Sequence, residues 1–338
     1  MKKICTEATG VVRIHEVDKP VLKKGYALMK MLYGGICGTD LNIYRGLFAY
    51  GCYPKVPGHE IAAEVVEVEE NTYGISPGMI ATVNPYFNCG KCYSCQRGLV
   101  NCCMQNETLG SQRDGVYGEY FTIPIERVYE GRGLDAKSLA LIEPFAVAYH
   151  GIKRAKPKRG EKVLVIGGGT IGIFAMISAL YFGADVYVAD VSENKLKIAK
   201  KLGATGVVHN TSKETLAQST NKFTDGNGFD ITVEAVGLAQ TFESSVESAA
   251  FGGRVILIGI SKQRLDFDFT MIQKKELSIY GSRNAVKEDF DELIEIVNKG
   301  GVSLDGIVSN VFPYEQAQDA FSAMDVKGDD NLKILLQF

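Results

Sequence analysis

The sequence predicts an α/β fold made of a β-rich N-terminal part and a doubly wound parallel sheet. Up to about residue 145, short apolar or alternating runs are separated by Gly/Pro turns, which is typical of short antiparallel strands. From residue 163 onward, apolar runs alternate with helix-length segments, which predicts parallel strands joined by crossover helices. The first of these runs, Val-Leu-Val-Ile at 163–166, has the composition of a strand buried on both faces.

Composition and charge limit the classes of protein to consider. The chain has 338 residues, enough for two domains, of which 46% are hydrophobic and 23% charged. A net charge of −3 gives no general attraction to nucleic acid or to an acidic membrane. The first residues lack the apolar core of a signal peptide, and the longest apolar helix candidate, 171–182, is shorter than the roughly 20 residues that a bilayer requires. We therefore expect a cytoplasmic protein with no nucleic-acid or membrane partner.

Taken in order, the predicted elements divide the chain into three segments. These are an N-terminal domain (1–150), a nucleotide-binding domain (151–284) and a C-terminal segment (285–338) that we expect to pack on the N-terminal domain. The predicted strands are 10–17, 26–33, 61–68, 80–83 and 120–123 in the first segment and 163–166, 185–190, 206–210, 229–236, 254–259 and 277–281 in the second. The predicted helices include 193–202, 241–250, 287–299 and 314–324, and a strand at 332–338 ends the chain.

A glycine-rich turn after the first parallel strand predicts a dinucleotide site. Residues 167–172, Gly-Gly-Gly-Thr-Ile-Gly, fit the pattern G-x-G-x-x-G and lead into an apolar helix. In this pattern the first glycine permits a tight turn, the second lets the backbone approach a pyrophosphate, and the third lets the helix pack on the strand. The helix N-terminus offers unpaired N–H groups to the pyrophosphate. The predicted contacts are Gly167, Gly169, Thr170, Ile171 and Gly172.

The next strand ends in an acidic residue, Asp190, which predicts the type of dinucleotide. A carboxylate at this position can accept hydrogen bonds from both ribose hydroxyls, and it repels a 2′-phosphate. No arginine follows directly, since the next residues are Val191, Ser192 and Glu193. The sequence therefore predicts NAD rather than NADP.

Four closely spaced cysteines predict a structural metal site. Cys89, Cys92 and Cys95 form two successive C-x-x-C steps, and Cys103 follows shortly after. Because no export signal accompanies the eight cysteines of the chain, metal binding is favoured over disulfides. Four thiolates fit a closed tetrahedral Zn²⁺ site, and an iron–sulfur cluster is the alternative. Cys102 is adjacent to Cys103 and could take its place.

A second metal site would have to combine residues from separate segments. Cys37 offers a thiol, His59 an imidazole, and Glu60 and Glu143 offer carboxylates. A mixed Cys/His/Glu set leaves zinc one position for water or substrate, as a catalytic site requires. Spacing alone does not assign this site, because a single histidine is more often a hydrogen-bonded core residue.

In order and spacing, these motifs resemble those of the zinc-containing medium-chain alcohol dehydrogenases. Gly-Ile-Cys-Gly-Thr-Asp at 35–40, Gly-His-Glu at 58–60, the four cysteines, Glu-Pro at 143–144 and the glycine-rich turn together extend over essentially the whole chain. Glu143 in place of a cysteine is similar to the polyol and sorbitol dehydrogenase branch. The segments 43–46 and 275–283 are most similar to bacterial sugar-acid dehydrogenases of the L-gulonate/L-galactonate 5-dehydrogenase type.

The resemblance implies a GroES-like β domain that carries one catalytic and one structural zinc, followed by a Rossmann NAD-binding domain. Thr39 would accept the proton of the substrate hydroxyl, and Asp40 would brace the imidazole of His59. Asn42 stands where relatives often carry the histidine that ends the proton relay. The implied contacts are Cys37, His59 and either Glu60 or Glu143 for catalytic zinc; Asp190, Lys195 and the backbone of Ile258, Gly259 and Ile260 for NAD; and Tyr44, Arg45, Arg283 and Asn284 for substrate.

The implied activity is reversible, zinc-assisted hydride transfer from a secondary hydroxyl of a polyol or sugar acid to NAD. We expect the enzyme to be a homo-oligomer, either a dimer or a tetramer. An L-threonine 3-dehydrogenase or a short-diol dehydrogenase is the alternative among enzymes. A non-catalytic NAD-binding regulator is the alternative outside them, because a fold does not determine a function.

Overall fold

The computed structural model describes residues 1–47, 53–260, 264–326 and 331–338. These residues form two units, the first made of Met1–Glu143 and Ala285–Phe338 and the second of Pro144–Asn284. The predicted α/β class is confirmed, because a mainly antiparallel sheet and a parallel sheet with helices are both present. Among the described residues, no helix combines the length and the apolar character needed to cross a membrane.

The N-terminal part is β-rich, as its alternating pattern predicts. Short helices of one or two turns interrupt it, and α4 contains the boundary between the two units. The strands are β1 Lys2–Ala8, β2 Val11–Glu16, β3 Tyr26–Gly35, β4 Glu60–Val68, β5 Ile80–Val83, β6 Tyr86–Phe87, β7 Glu107–Thr108, β8 Tyr120–Pro124 and β9 Val128–Glu130. The helices are α1 Gly38–Tyr44, α2 Tyr93–Gln96, α3 Ala136–Ala140 and α4 Ile142–Ala155, with 3₁₀ turns at Val100–Cys102 and Ile125–Arg127.

The second unit contains a parallel sheet whose described strands follow the order β12-β11-β10-β13-β14-β15. In β10, Val163 to Ile166 are at most 1% exposed, as expected for a strand covered on both faces. The helix after it, α5, is buried from Gly172 to Ala179, which explains why it is apolar on all sides. The strands are β10 Lys162–Ile166, β11 Asp185–Asp190, β12 Gly206–His209, β13 Phe229–Glu234, β14 Ala249–Leu257 and β15 Ser278–Gly281. The helices are α5 Thr170–Tyr181, α6 Glu193–Lys201, α7 Lys213–Thr224, α8 Ala239–Ser248 and α9 Thr270–Lys274.

The C-terminal segment completes the sheet of the first unit. Its elements are α10 Lys287–Asn298, β16 Val308–Pro313, a 3₁₀ turn at Tyr314–Gln316, α11 Ala317–Asp325 and β17 Lys333–Gln337. The described strands follow the order β16-β17-β3-β4-β5-β9, and β8 also pairs with β3. Residues of β17 and α11, including Ile334, Leu336 and Phe321, belong to the same apolar core as Met29 and Ile61. The last strand of the chain therefore lies directly beside β3, whose C-terminal end leads to Cys37.

Candidate active site

The four predicted cysteines converge in a loop whose base is closed by β6 and β7. The ligand atoms of Cys89, Cys92, Cys95 and Cys103 all lie within 4.8 Å of one another, so the fourth member is Cys103 and not Cys102. Backbone N–H groups point at these sulfurs: that of Cys89 donates to the Sγ atom of Cys103 at 3.2 Å, and that of Cys92 donates to the Sγ atom of Cys89 at 3.4 Å. Backbone donors also lower the pKa of Cys92 to about 6. These contacts favour the thiolate forms of Cys89 and Cys92, whereas burial and the neighbouring sulfurs raise the pKa of Cys95 to about 11. The thiolate is the form that binds zinc.

A second set of ligand atoms, from Cys37, His59 and Glu60, also lies within 4.8 Å. Cys37 is the N-cap residue of α1, and His59 and Glu60 stand at the start of β4. His59 is 5% exposed and Glu60 is 1% exposed. The Nδ1 atom of His59 is buried and has no hydrogen-bond partner among the described residues.

Asp40 hydrogen-bonds to both of the segments that carry this set, the one at Cys37 and the one before His59. Its Oδ2 atom accepts a hydrogen bond from the N–H of Cys37 at 3.0 Å, and its Oδ1 atom accepts one from the N–H of Gly58 at 3.4 Å. The same Oδ1 atom lies 4.0 Å from Nδ1 of His59. Burial raises the pKa of Asp40, although the charge of His59 opposes this shift. Asp40 therefore faces the ring nitrogen that it would brace, and Thr39 and Asn42 lie half-buried in the same helix.

Glu60 forms a buried ion pair with Lys333 of β17. The Nζ atom of Lys333 donates to Oε1 of Glu60 at 2.7 Å and to Oε2 at 2.5 Å, and it also donates to the carbonyl of Ile36 at 3.1 Å. Burial acts to lower the pKa of Lys333, but the hydrogen bond to Glu60 and the negative charges of Glu60, Cys37 and Glu143 together outweigh burial, so the pKa lies above its usual value. Gly35 makes room for this pair, because a Cβ atom at this position would lie 2.4 Å from Oε2 of Glu60.

Glu143 lies outside the set defined by Cys37, His59 and Glu60 and is held by a different donor. The hydroxyl of Tyr86 donates a hydrogen bond to Oε1 of Glu143, which is 4% exposed. Burial raises the pKa of Glu143 to about 7. Burial and the charge of Glu143 keep the pKa of Tyr86 well above its usual value, so that its hydroxyl retains the proton that it donates.

The donor set of this centre fits a divalent cation. Burial works to lower the pKa of His59, but the negative charges of Cys37, Asp40 and Glu143 raise it well above its usual value. A buried imidazole with an unpartnered nitrogen, a thiol and a carboxylate are ligand types that zinc prefers. A cation bound here would be stabilised by the same negative charges that favour the protonated imidazole.

The predicted dinucleotide turn has the expected local structure. Gly172 allows close packing, because a Cβ atom there would lie 1.7 Å from the carbonyl oxygen of Gly167. Gly169 is the N-cap of α5, and a Cβ atom there would meet nothing within 4 Å, so that Thr170 and Ile171 begin the helix beside open space. Asp190 accepts hydrogen bonds from the N–H of Gly168 at 2.6 Å and from the N–H of Ser192 at 2.8 Å. Lys195 follows one turn later, with its N–H bonded to Ser192 Oγ at 3.3 Å.

The strand order changes direction between β10 and β13, and such a switch point is where ligands of doubly wound sheets bind. Glu234 ends β13 at this point and is 3% exposed. Its Oε1 atom accepts hydrogen bonds from the N–H groups of Val236 and Gly237 and from the hydroxyl of Thr241, at 2.9, 2.8 and 2.7 Å. The turn after β14 packs on the turn after β13: Ile258 and Gly259 both donate to the carbonyl of Glu234, and Ile260 is exposed.

The four predicted substrate contacts fall into two pairs. Tyr44 is buried and Arg45 is exposed. The hydroxyl of Tyr44 accepts a hydrogen bond from Nε2 of Gln318 and lies 3.2 Å from Ser322 Oγ, and Arg45 pairs with Asp325. Their polar groups are therefore engaged with α11, and substrate contact by them stays a prediction. Arg283 is exposed, whereas the Nδ2 atom of Asn284 is buried without a hydrogen-bond partner in the described part of the chain.

Sequence patterns did not identify three residues of these sites: Lys333, Tyr86 and Glu234. Lys333 carried a signal, since it is a single charge at the start of the apolar run Ile-Leu-Leu in the predicted last strand. A lysine there needs a buried partner. Tyr86 lies shortly before the first cysteine of the cluster and belongs to no recognisable motif. Glu234 lies at the end of a predicted strand, where a glutamate gives no signal of a special role.

Comparisons with known proteins cover most of the chain. The model of the alcohol dehydrogenase GroES-like domain matches residues 23–132, and that of the zinc-binding dehydrogenase matches residues 170–299. L-galactonate-5-dehydrogenase of Escherichia coli K12 is 31% identical over 94% of this chain and 94% of its own. L-threonine 3-dehydrogenase of Pyrococcus horikoshii is 32% identical to this chain, and the match covers 91% of this chain and 90% of that enzyme. Among solved structures, one similar chain is described as short chain alcohol dehydrogenase (rspB) of E. coli CFT073 complexed with cofactor NADH. Its TM-score is 0.92 and its sequence identity is 28%, and the match covers 100% of this chain and 99% of that one.

Proposed function

This chain belongs to the zinc-binding alcohol dehydrogenase family, with a GroES-like domain and a Rossmann domain, and we propose that it oxidises a secondary hydroxyl of a sugar acid or polyol with NAD. The predicted family, enzyme class and cofactors, zinc and a nicotinamide dinucleotide, are confirmed. The substrate class and the preference for NAD are the proposal. The observation that carries it is the set of half-buried Cys37 with buried His59 and Glu60, beside a second buried carboxylate, Glu143.

In this proposal, Cys37, His59 and a carboxylate hold the catalytic zinc, and the four-cysteine cluster holds a structural zinc. When bound, the catalytic zinc supplies a Lewis acid that makes the substrate hydroxyl more acidic, and the nicotinamide accepts the hydride. Asp40 keeps the Cys37 and Gly58 segments together and faces Nδ1 of His59. It therefore fixes the orientation of the imidazole, which is the usual task of a carboxylate next to a metal-binding histidine.

The remaining tasks are proton removal and cofactor selection. The hydroxyl of Thr39 can accept the proton of the substrate and donate its own onward. Asn42 cannot ionise near neutral pH, so we expect the proton to leave through water or a carboxylate. Asp190 is held by two backbone N–H groups at the end of β11, where it can accept both ribose hydroxyls and repel a 2′-phosphate.

The substrate assignment is tested by a screen of sugar acids and polyols with NAD and with NADP, following the absorbance of the reduced cofactor. We expect L-galactonate, L-gulonate or a related sugar acid to give the highest kcat/KM with NAD. Cys37→Ser should abolish turnover, whereas Cys5→Ser, the same change at a thiol outside both metal sets, should retain it. The proposal would be refuted if zinc-loaded protein oxidised no sugar acid and no polyol.

A second candidate is L-threonine 3-dehydrogenase, because the P. horikoshii enzyme of that name is as similar to this chain as the galactonate enzyme. L-threonine therefore belongs in the same screen, together with a short diol. Oxidation of L-threonine with a kcat/KM at least tenfold above that of every sugar acid would replace the first candidate by the second.

A further inference from the structure

Two buried carboxylates of the first unit are held by chemically different donors. Glu60 receives the ammonium group of Lys333, which cancels its charge, whereas Glu143 receives the neutral hydroxyl of Tyr86, which does not. Both pairs are buried: Glu60 and Lys333 are 1% and 2% exposed, and Tyr86 and Glu143 are 7% and 4% exposed. Glu143 is therefore a carboxylate that is fixed in place and keeps its capacity to attract a cation.

Tyr86 is itself held firmly from several sides. Its N–H donates to Oδ1 of Asn84 at 3.0 Å, and its carbonyl accepts a hydrogen bond from the guanidinium of Arg127. In the β6–β7 pair it lies opposite Thr108, at the base of the loop that contains the four cysteines. The backbone of Tyr86 is thus fixed at the base of this loop by contacts that do not involve Glu143.

We propose that Tyr86 is a positioning residue that orients Glu143 toward the catalytic metal, an inference that rests on the metal site proposed above. With Oε1 engaged by the phenol, the rotation of the carboxylate is restricted, and Oε2 is the oxygen left to serve as a ligand or as an acceptor for a group bound to the metal. Carboxylates oriented in this way tune metal affinity, and loss of such a second contact typically costs 10- to 100-fold. No sequence motif assigns this task to Tyr86.

The test uses cobalt(II) in place of the catalytic zinc of the intact enzyme, because its visible spectrum reports the ligand geometry. Tyr86→Phe removes one oxygen atom and keeps the ring. We expect the d–d bands of the cobalt enzyme to shift and the rate of metal loss to dipicolinate to rise by about 10- to 100-fold. The matched control is Tyr129→Phe, which removes another buried phenol whose hydroxyl accepts a hydrogen bond from Asn84 at 3.1 Å but which contacts neither carboxylate in the described structure. The control should leave spectrum and metal loss within about twofold of the wild type.

A double substitution tests whether Tyr86 acts through Glu143. In the Glu143→Ala background, Tyr86→Phe should change neither the cobalt spectrum nor the rate of metal loss, because the group that Tyr86 orients is gone. A further change in that background would overturn the proposal, as would equal effects of Tyr86→Phe and Tyr129→Phe. Persistence of the catalytic cobalt signal in Cys37→Ser would refute the metal site itself. Loss of the signal in Cys37→Ser, together with a wild-type spectrum in Tyr86→Phe, would refute the role of Tyr86 alone.

Discussion

Replacing Lys333 by methionine should lower the free energy of unfolding, because it leaves the buried charge of Glu60 without a partner. Both side chains of the pair are almost fully buried, 3% exposed for Lys333 and 1% for Glu60, and Nζ binds both carboxylate oxygens at 2.7 and 2.5 Å. Methionine has a similar length, so the change removes the charge and leaves little cavity. Removing one partner of a buried ion pair typically costs about 3–5 kcal/mol, because the other charge stays buried without compensation. We therefore expect the free energy of unfolding to fall by about 3–5 kcal/mol.

Urea unfolding followed by far-UV circular dichroism measures this loss. The control is Lys299→Met, the same substitution in a surface pair with Glu295 whose side chains are 71% and 54% exposed. An exposed pair of this kind is screened by water and contributes little to stability, so the control should be nearly neutral. If Lys333→Met lost less than about 1 kcal/mol, or no more than the control, the ion pair would not compensate the burial of Glu60.

Three further predictions concern the cofactors. Cys92→Ser should remove the structural zinc, measured by elemental analysis, and lower the unfolding midpoint, because a closed thiolate site contributes folding energy; retained zinc and stability would contradict this assignment. Asp190→Ser combined with Val191→Arg should move the preference from NAD toward NADP in kcat/KM, and a wild-type enzyme that already preferred NADP would show that Asp190 does not select the ribose. Gly172→Ala should weaken NADH binding at least tenfold in a fluorescence titration, since its Cβ atom would lie 1.7 Å from the carbonyl oxygen of the preceding turn; unchanged affinity would mean that the turn adapts.

The parallel sheet could be predicted well from the sequence because its strands have a strong local signal. The predicted strand 185–190 coincides with β11, and 163–166 differs from β10 by one residue. Each of these two strands contains four consecutive buried apolar residues, at 163–166 and 186–189, and a glycine or an aspartate marks its C-terminal end. Weaker signals were missed. β6 and β7 have two residues each, too few for a period, and α7 is a polar helix with few buried residues.

The two metal sites also differ in how far apart their residues lie in the sequence. The four cysteines are close in sequence, so their convergence follows from spacing alone. Cys37 and His59 converge only because β3 and β4 pair, with Gly35 opposite Glu60. The partner of Glu60 comes from β17, which lies on the other side of β3 and follows almost the whole chain later. No local pattern specifies that contact, since it depends on the strand order of the completed sheet.

The different donors, Lys333 for Glu60 and Tyr86 for Glu143, also explain how one site can contain two carboxylates. Unpaired carboxylates buried close together raise each other's pKa, and one of them then tends to stay protonated. Lys333 lessens this conflict by pairing with Glu60, although the charge of Glu60 still contributes to the raised pKa of Glu143. Glu143 is then the carboxylate whose charge must be offset by another cation. Because Tyr86 is neutral, it fixes Glu143 without competing for that role. A charged donor at position 86 would therefore weaken cation binding even with the geometry preserved, whereas a neutral donor at position 333 would leave two negative carboxylates facing one ion.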